Sequence, residues 1–284
     1  MKIEEIREFV NRHKGDDSKI AVVSSGGTAV PLEKNSVRFI ENFSNGTRGA
    51  TSAEKFLETG YLVVFFHRHN SLQPFSHRFP DLFNHLELGT NENIIVPSYP
   101  NLPEMIRKRK QYESRILMVP FVTYYDYKND LELICKEFAA AGKKLCVYLA
   151  AAVSDFYINA EELPEHKIQS GGEALNLKLI MTPKVLKRIV KDVVPEAFIV
   201  SFKLETDPNL LFTKSHKALK EYGHQVVIAN MLKTRKQKVT FIRPNQDPLE
   251  LDLESPEYKN HGNIEIEDLI VSKLEEMHDE FIRS

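Results

Sequence analysis

The chain has 284 residues, 42% of them hydrophobic and 27% charged, with a formal net charge of −2. That balance suits one large or two small globular domains with a sizeable core, and it argues against broad charge-driven binding to nucleic acid or a membrane surface. No apolar run approaches about 18 residues, and the start Met1-Lys2-Ile3-Glu4-Glu5-Ile6 carries neither a signal-peptide core nor an arginine-rich transit pattern, so the expected address is the cytosol.

Ile3, Ile6, Phe9 and Val10 predict a short amphipathic helix over 3–12, ahead of the polar break Lys14-Gly15-Asp16-Asp17. Residues 19–24 form an apolar run of strand length that delivers the turn Ser24-Ser25-Gly26-Gly27-Thr28 at its C-terminal end. The stretch Ile40-Glu41-Asn42-Phe43-Ser44-Asn45-Gly46-Thr47-Arg48-Gly49-Ala50 packs glycines, hydroxyls and amides into a turn ahead of a helix marked by Ala50, Ala53, Phe56 and Leu57. Such a turn reads as a phosphate cradle, because glycines allow close backbone approach and a helix N-terminus attracts anions. Gly60 stops the helix, and residues 61–66 make a second buried strand, completing a βαβ unit.

Residues 67–100, with Pro74, Pro80, Pro97 and Pro100, read as surface excursions with one short helix or strand near Ile94-Ile95-Val96. A charged helix follows at about 102–113, then a strand at 116–119. Thr123 is placed to cap a long helix carrying Leu131, Ile134, Cys135, Phe138 and Ala141, with Gly142 after its end. Cys135 and Cys146 lie in apolar segments without CxxC spacing and read as buried, reduced thiols.

A strand at 144–149 runs into Ala150-Ala151-Ala152-Val153-Ser154-Asp155. The polar segment 161–172, with Pro164, His166, Lys167, Ser170 and the pair Gly171-Gly172, suits a mobile flap spanning about 156–174. Leu175, Leu177 and Leu179 alternate as in a half-buried strand, and Thr182-Pro183 reads as the N-cap and first position of a helix bearing Leu186, Ile189, Val190 and Val193. A strand at 197–202, a helix at 208–222 stopped by Gly223, and a strand at 225–229 ending at Asn230 resume the α/β rhythm. Alternating segments at 238–242 and 249–253, with a closing helix through Leu269, Ile270, Leu274, Met277 and Phe281, form an addition over about 236–284. The expected fold is a single α/β domain over 1–284, three-layered and Rossmann-like, with a mostly parallel central sheet, a flap and a small antiparallel addition.

Apolar strands ending in Gly26-Gly27, in Ala151-Ala152-Ser154-Asp155 and in Ala229-Asn230 point to one shared site at their C-terminal ends. Asp155 can accept from a substrate hydroxyl or amide, hold magnesium through water, or simply cap a turn. Asn42 and Asn230 suit carboxylate or phosphoryl oxygens, Arg38 and Arg48 flank the glycine turn as possible anion clamps, and Lys167 in the flap can neutralise phosphate charge. Other chemistries lack their patterns. His67-Arg68-His69 has no third zinc ligand at suitable spacing, and no GxSxG elbow, P-loop or GxGxxG fingerprint is present.

At these residues the chain resembles phosphopantothenoylcysteine synthetase of the eukaryotic type. The matching segments include Ser25-Gly26-Gly27-Thr28 with Val30-Pro31-Leu32-Glu33, Val37-Arg38-Phe39-Ile40 with Asn42-Phe43-Ser44, and Gly46 with Arg48 to Glu54. Ala150 to Tyr157, Pro164 to Ser170, Ser201 to Asp207 and Ala229-Asn230 continue the match, while Asn45 and Thr47 depart from the family's usual serine and arginine. The resemblance implies that a nucleoside triphosphate with Mg2+ activates 4'-phosphopantothenate as an acyl-nucleotidylate, releasing pyrophosphate, before the amine of L-cysteine displaces the nucleotide. By matching position, Gly26, Ser44, Gly46, Gly49, Phe202 and Asn230 would bind nucleotide, and Asn42, Ala151, Ala152 and Asp155 the phosphopantothenate. Arg38 and Lys167 match positions that handle the intermediate in bacterial enzymes. The form Phe202-Lys203-Leu204-Glu205 is similar to the group that commonly uses ATP, with CTP the alternative. The resemblance also implies a homodimer, and an opening directly on the synthetase with no fused flavin domain. Two readings compete with it: an NAD(P)-dependent oxidoreductase, with His67-Arg68 at a 2'-phosphate, and a non-enzymatic nucleotide-binding module.

Overall fold

The computed structural model describes residues 3–171, 174–259 and 262–284; Gly172, of the glycine pair expected in the flap, lies outside the described residues. The elements are, in order, α1 (Ile3–Arg12), β1 (Ile20–Ser25), β2 (Ala29–Pro31), β3 (Phe39–Glu41), α2 (Thr47–Glu58) and β4 (Leu62–Arg68). There follow β5 (Glu87–Leu88), β6 (Ile94–Ile95), α3 (Leu102–Gln111), β7 (Ile116–Phe121), α4 (Tyr124–Glu137), β8 (Leu145–Leu149), β9 (Phe156–Tyr157) and β10 (Ile180–Met181). The last are α5 (Val185–Arg188), extended by a π-turn (Ile189–Val193), then β11 (Phe198–Glu205), α6 (Pro208–Tyr222), β12 (Val226–Met231), β13 (Lys238–Ile242), β14 (Leu249–Asp252) and α7 (Ile266–Arg283).

The main sheet has the order β14-β13-β12-β11-β8-β1-β4-β7. The strands from β12 to β7 run parallel, and β13 and β14 add antiparallel at one edge. The chain therefore winds outward from β1 through β4 to β7, then returns to β8 on the other side of β1. Winding in two directions opens a crevice between β1 and β8 at their C-terminal ends, where open α/β sheets bind ligands.

Both sheet faces are covered, so the strands read as continuous apolar runs rather than alternations. Ala21 and Val23 of β1 face a core made with Ala50, Ala53, Phe56 and Leu57 of α2 and Ile270 and Leu274 of α7. Val22 faces the other way, onto a core with Ile6 and Phe9 of α1 and Leu131, Ile134 and Cys135 of α4. Cys135 and Cys146 are free and buried, and burial pushes the Cys135 thiol up to about 12, which keeps it an inert apolar group.

Four expectations need correction. Leu175, Leu177 and Leu179 are all exposed, Leu175 by 54%. Their alternation finds no sheet, and only Ile180 and Met181 pair, antiparallel, with β9. Thr182 does not cap α5; its hydroxyl donates to the Ser154 carbonyl at 3.0 Å, and Lys184 holds the cap position. The helix expected to reach Ala141 stops at Glu137, and a 3-10 turn over Ala139–Lys144 contains Gly142 at φ 53°. The excursion after β4 is not confined to the surface, because Phe75 and Phe79 are buried. Glu54 holds it: its carboxylate accepts from the Phe75 N–H, from His77 at 3.0 Å and from Arg78 at 2.8 Å. Burial pushes the Glu54 carboxyl up, but those three partners outweigh burial and keep it below the ordinary carboxylate range.

His278 of α7 is 1% exposed between the Tyr61 hydroxyl (2.9 Å) and the Lys143 carbonyl (2.8 Å). A carbonyl can only accept, so Nε2 carries a proton, and in the neutral ring Nδ1 is then the acceptor for the Tyr61 hydroxyl. Burial accordingly lowers its pKa from 6.5 to about 4. Above pH 6.5 the ring is neutral in folded and unfolded states alike; below it the unfolded chain takes up the proton first. Stability of about 3 kcal/mol is thus lost as pH falls from about 6.5 to about 4. Urea unfolding across that range is expected to show this loss, and His278→Gln, which stays neutral, is expected to flatten it.

Candidate active site

The crevice is closed by backbone. Gly26, at φ +85°, ends β1 and accepts at its carbonyl from the Ala152 N–H at 2.8 Å. The Thr28 N–H returns to the Ala152 carbonyl at 3.1 Å, so the loops after β1 and β8 join in a short parallel bridge. From the opposite side the Asn42 N–H donates to the Thr28 carbonyl at 3.4 Å. A Cβ on Gly27 would lie 2.0 Å from the Asn42 carbonyl oxygen, so only glycine allows this approach.

α2 starts at Thr47, earlier than its apolar face suggested, so Arg48 and Gly49 sit within its first turn. Gly46 occupies the N-cap at φ 88° and has no side chain to cap the helix. The Thr47 N–H donates to Asn45 Oδ1 at 3.4 Å, and the dipole end of this 12-residue helix, with the N–H groups that follow in its first turn, faces the loop as an anion site would require. Ser25 donates to the Gly46 carbonyl at 3.0 Å, and Gly49 is packed so closely on β1 that its Cβ would meet Ser25 at 2.4 Å. Gly49 thus brings α2 onto β1, and its own Cα is buried.

Asn42 donates from Nδ2 to the Val153 carbonyl at 3.2 Å and accepts at Oδ1 from Ser154 at 3.4 Å. Ser44, Ala151 and Ala152 are half-buried around it, and the Asp155 side chain is exposed at the outer end of the same loop. Arg38 pairs at 3.2 Å with Glu33, which is fully buried, and donates to the Ile168 carbonyl at 3.0 Å, tying the β2–β3 hairpin to the flap. Lys167, the next residue, has an exposed side chain. Phe202 on β11 lies edge-on to Tyr148 at 5.1 Å, with the Arg48 guanidinium 5.7 Å from its ring centre. Asn230 on β12 is 6% exposed, and its Oδ1 is buried with no hydrogen-bond partner among the described residues.

The structure therefore gathers Gly26, Asn42, Ser44, Gly46, Ala151 and Ala152 at the β1–β8 crevice and sets Arg38 and Lys167 at the flap edge. Phe202 and Asn230 stand two and three strands away from β1, on β11 and β12. Arg48 is no free clamp: it is bound to Glu267 at 3.0 Å and to the Arg235 carbonyl. Nor does His67-Arg68 offer a 2'-phosphate site. His67 is 3% exposed with Nδ1 on the Arg68 carbonyl, and Arg68 is engaged by Glu41 and the Val122 carbonyl. Among the described residues, no three His, Cys, Asp or Glu side chains gather as a metal site.

Sequence reasoning missed two contributors. Glu33 accepts from the Val37, Arg38 and Ile168 N–H groups as well as from the Arg38 guanidinium, and its spacing of five from Arg38 in a hairpin was the available signal. Ser71 approaches both loop glycines, its Oγ 3.2 Å from where a Cβ on either Gly26 or Gly46 would stand, and nothing in its local sequence marks it.

The family described as DNA/pantothenate metabolism flavoprotein C-terminal domain matches residues 120–258. A phosphopantothenate–cysteine ligase of Homo sapiens is 41% identical across 98% of this chain and 92% of its own length. The chain belongs to the phosphopantothenate–cysteine ligase family. The ligase CAB2 of Saccharomyces cerevisiae is 38% identical over 99% of this chain and 82% of its own. A solved structure of a Cab2 mutant in complex with phosphopantothenate-cysteine superimposes with a TM-score of 0.88, at 38% identity, covering 99% of this chain and 93% of that one. A flavoprotein structure from Streptococcus pneumoniae, at 20% identity and a TM-score of 0.62 over 93% of this chain and all of that one, shares the fold.

In this ligase fold the closure at Gly27 has no room for a side chain, since the obstructing atom is a backbone carbonyl. Gly27→Ala is expected to cost about 1–3 kcal/mol in urea unfolding. Gly171→Ala, with nothing among the described residues within 4 Å of its Cβ, is the control and is expected to stay within about 0.5 kcal/mol of the parent.

Proposed function

We propose that this chain, working as one synthetase domain, is a coenzyme A biosynthesis ligase that joins 4'-phosphopantothenate to L-cysteine at the expense of ATP. The observation that carries the reading is the convergence of the β1 loop, the β8 loop and the glycine-led N-terminus of α2 at the crevice beside β1, in a chain of this family. A carboxylate oxygen of phosphopantothenate attacks the α-phosphorus, the bond to the β-phosphate oxygen breaks, and pyrophosphate leaves. The amine of cysteine then attacks the acyl carbon of the acyl-nucleotidylate, the nucleoside monophosphate leaves with the bonding electrons, and the amine proton passes to solvent.

The residues divide along the sheet. Gly26, Ser44, Gly46 and Gly49 would cradle the phosphates at the α2 N-terminus, where backbone N–H groups need no side-chain charge. Neighbouring strands lie about 4.8 Å apart, so Phe202 and Asn230 stand about 10–14 Å from β1, a reach that suits the nucleoside end. Phe202 offers a ring face and Asn230 an open carbonyl oxygen that can accept from an exocyclic amine. Asn42, Ala151, Ala152 and Asp155 would take the acyl end of phosphopantothenate. Arg38 and Lys167 would meet the charge that develops as pyrophosphate and nucleotide leave. Mg2+ would be held chiefly by phosphate oxygens and water, with Asp155 an exposed carboxylate at the outer end of the β8 loop. It would supply charge neutralisation of the leaving pyrophosphate.

A homodimer is part of the same reading. Phe39, Ile40 and Phe43 are exposed beside Asn42, Phe43 by 92%, and Met181 is 67% exposed on the strand paired with β9. Apolar groups presented together at the rim of a site support a subunit contact there. The proposed location is the cytosol; among the described residues no helix is long and apolar enough to cross a membrane.

Mixing the protein with 4'-phosphopantothenate, L-cysteine, Mg2+ and either ATP or CTP tests the reading. Pyrophosphate release that requires phosphopantothenate and is faster with ATP is expected; release with neither nucleotide overturns the assignment. Asn230→Ala is expected to raise the nucleotide KM about tenfold, the worth of one buried hydrogen bond, with the phosphopantothenate KM unchanged.

A further inference from the structure

Asn42 can serve the acyl group only if its amide points the right way, since a 180° flip exchanges a donor for an acceptor. The structure shows what holds it. On one side Nδ2 donates to the Val153 carbonyl at 3.2 Å, an acceptor that a flipped amide would meet with its own oxygen. On the other, Oδ1 faces the Ser154 hydroxyl at 3.4 Å. One Nδ2–H is thereby spent and Oδ1 is engaged, which leaves the second Nδ2–H as the group the amide can offer to a ligand.

Ser154 is itself held on every side. It is 5% exposed, and Thr28 beside it is fully buried. The Thr28 hydroxyl accepts from the Ser154 N–H at 2.9 Å and donates to Ser154 Oγ at 3.0 Å. With that lone pair filled, the Ser154 O–H has two acceptors in reach, Asn42 Oδ1 and the Thr28 carbonyl at 3.3 Å. The Thr28 carbonyl also receives the Asn42 backbone N–H, whereas among the described residues the Ser154 hydroxyl is the one donor to the Asn42 amide oxygen. The Thr182 hydroxyl fixes the Ser154 carbonyl at 3.0 Å. This also gives a purpose to the threonine that fails to cap α5.

We propose that Ser154 is a positioning residue for the ligase reaction: locked by Thr28, its hydroxyl fixes the Asn42 amide so that the second Nδ2–H donates to the acyl oxygen of the substrate. The proposal rests on the ligase reading for its chemistry, but the hold on the amide is a property of the chain alone. A preset donor is worth most where negative charge grows on an acyl oxygen, as it does when cysteine attacks.

Three readouts test it. Steady-state kinetics of Ser154→Ala are expected to show kcat lowered about tenfold, part of the cost of losing an oxyanion donor, with the nucleotide KM within about twofold. The same substitution in an Asn42→Ala background is expected to add less than about twofold, because Ser154 acts through Asn42. An unchanged kcat in Ser154→Ala, or a full loss that persists without Asn42, overturns the proposal. In NMR spectra of the free protein, the Asn42 side-chain amide, identified by its disappearance in Asn42→Ala, is expected as one sharp proton pair that broadens or moves in Ser154→Ala. An unaltered pair overturns the proposal without any appeal to activity. Wild-type turnover measured alongside separates a failure of the ligase reading from a failure of this one.

Discussion

The site depends on one close approach, the carbonyl of Asn42 lying where a side chain on residue 27 would have to be. That contact lets three loops share backbone hydrogen bonds: Ala152 to Gly26, Thr28 to Ala152 and Asn42 to Thr28. Each loop ends or follows a different strand, so none could hold this geometry alone. Sheet topology supplies the rest. Because β4 and β8 flank β1 on opposite sides, the winding reverses at β1, and open α/β sheets bind ligands at the strand ends beside such a reversal.

Around that backbone frame, buried carboxylates act as clamps. Glu33 fastens the β2–β3 hairpin through Arg38 to the flap, Glu54 fastens the excursion after β4, and Glu267 binds Arg48 and so joins the first turns of α2 and α7. Burial pushes the Glu267 carboxyl up while Arg48 draws it back, the balance expected of a desolvated pair. Removing one partner of such a pair strands the other charge and costs about 3–5 kcal/mol. These clamps tie segments that are far apart in sequence to the frame, while the proposed cradle would use dipoles and N–H groups. Lys167 keeps an exposed side chain at the flap edge, beside the Ile168 carbonyl that Arg38 holds.

The sheet and its crevice were legible because buried parallel strands leave continuous apolar runs, and glycines and small residues at their ends mark backbone that must pass close to something. The motif segments also pointed to the family before any coordinates. What the sequence did not disclose were contacts made across long separations. Arg48 reads as an anion clamp until Glu267, 219 residues away, takes it. Leu175 to Leu179 alternate like a strand, but alternation says nothing about whether a partner strand exists. Thr182 before a proline is a good capping pair locally, yet the Ser154 carbonyl competes for its hydroxyl. Ser71 has no local signature, since its importance lies only in its distance from two glycines.

In the proposed ligase the phosphate cradle and the acyl-binding loops would form one continuous site, with Asn42 between nucleotide and carboxylate. Such a site must be able to complete the first half of the reaction alone. The protein incubated with 4'-phosphopantothenate, Mg2+ and ATP, without cysteine, then quenched and analysed by mass spectrometry, tests this directly. An acyl-adenylate with an equal amount of pyrophosphate is expected. Release of inorganic phosphate and ADP with no acyl-nucleotide would contradict it.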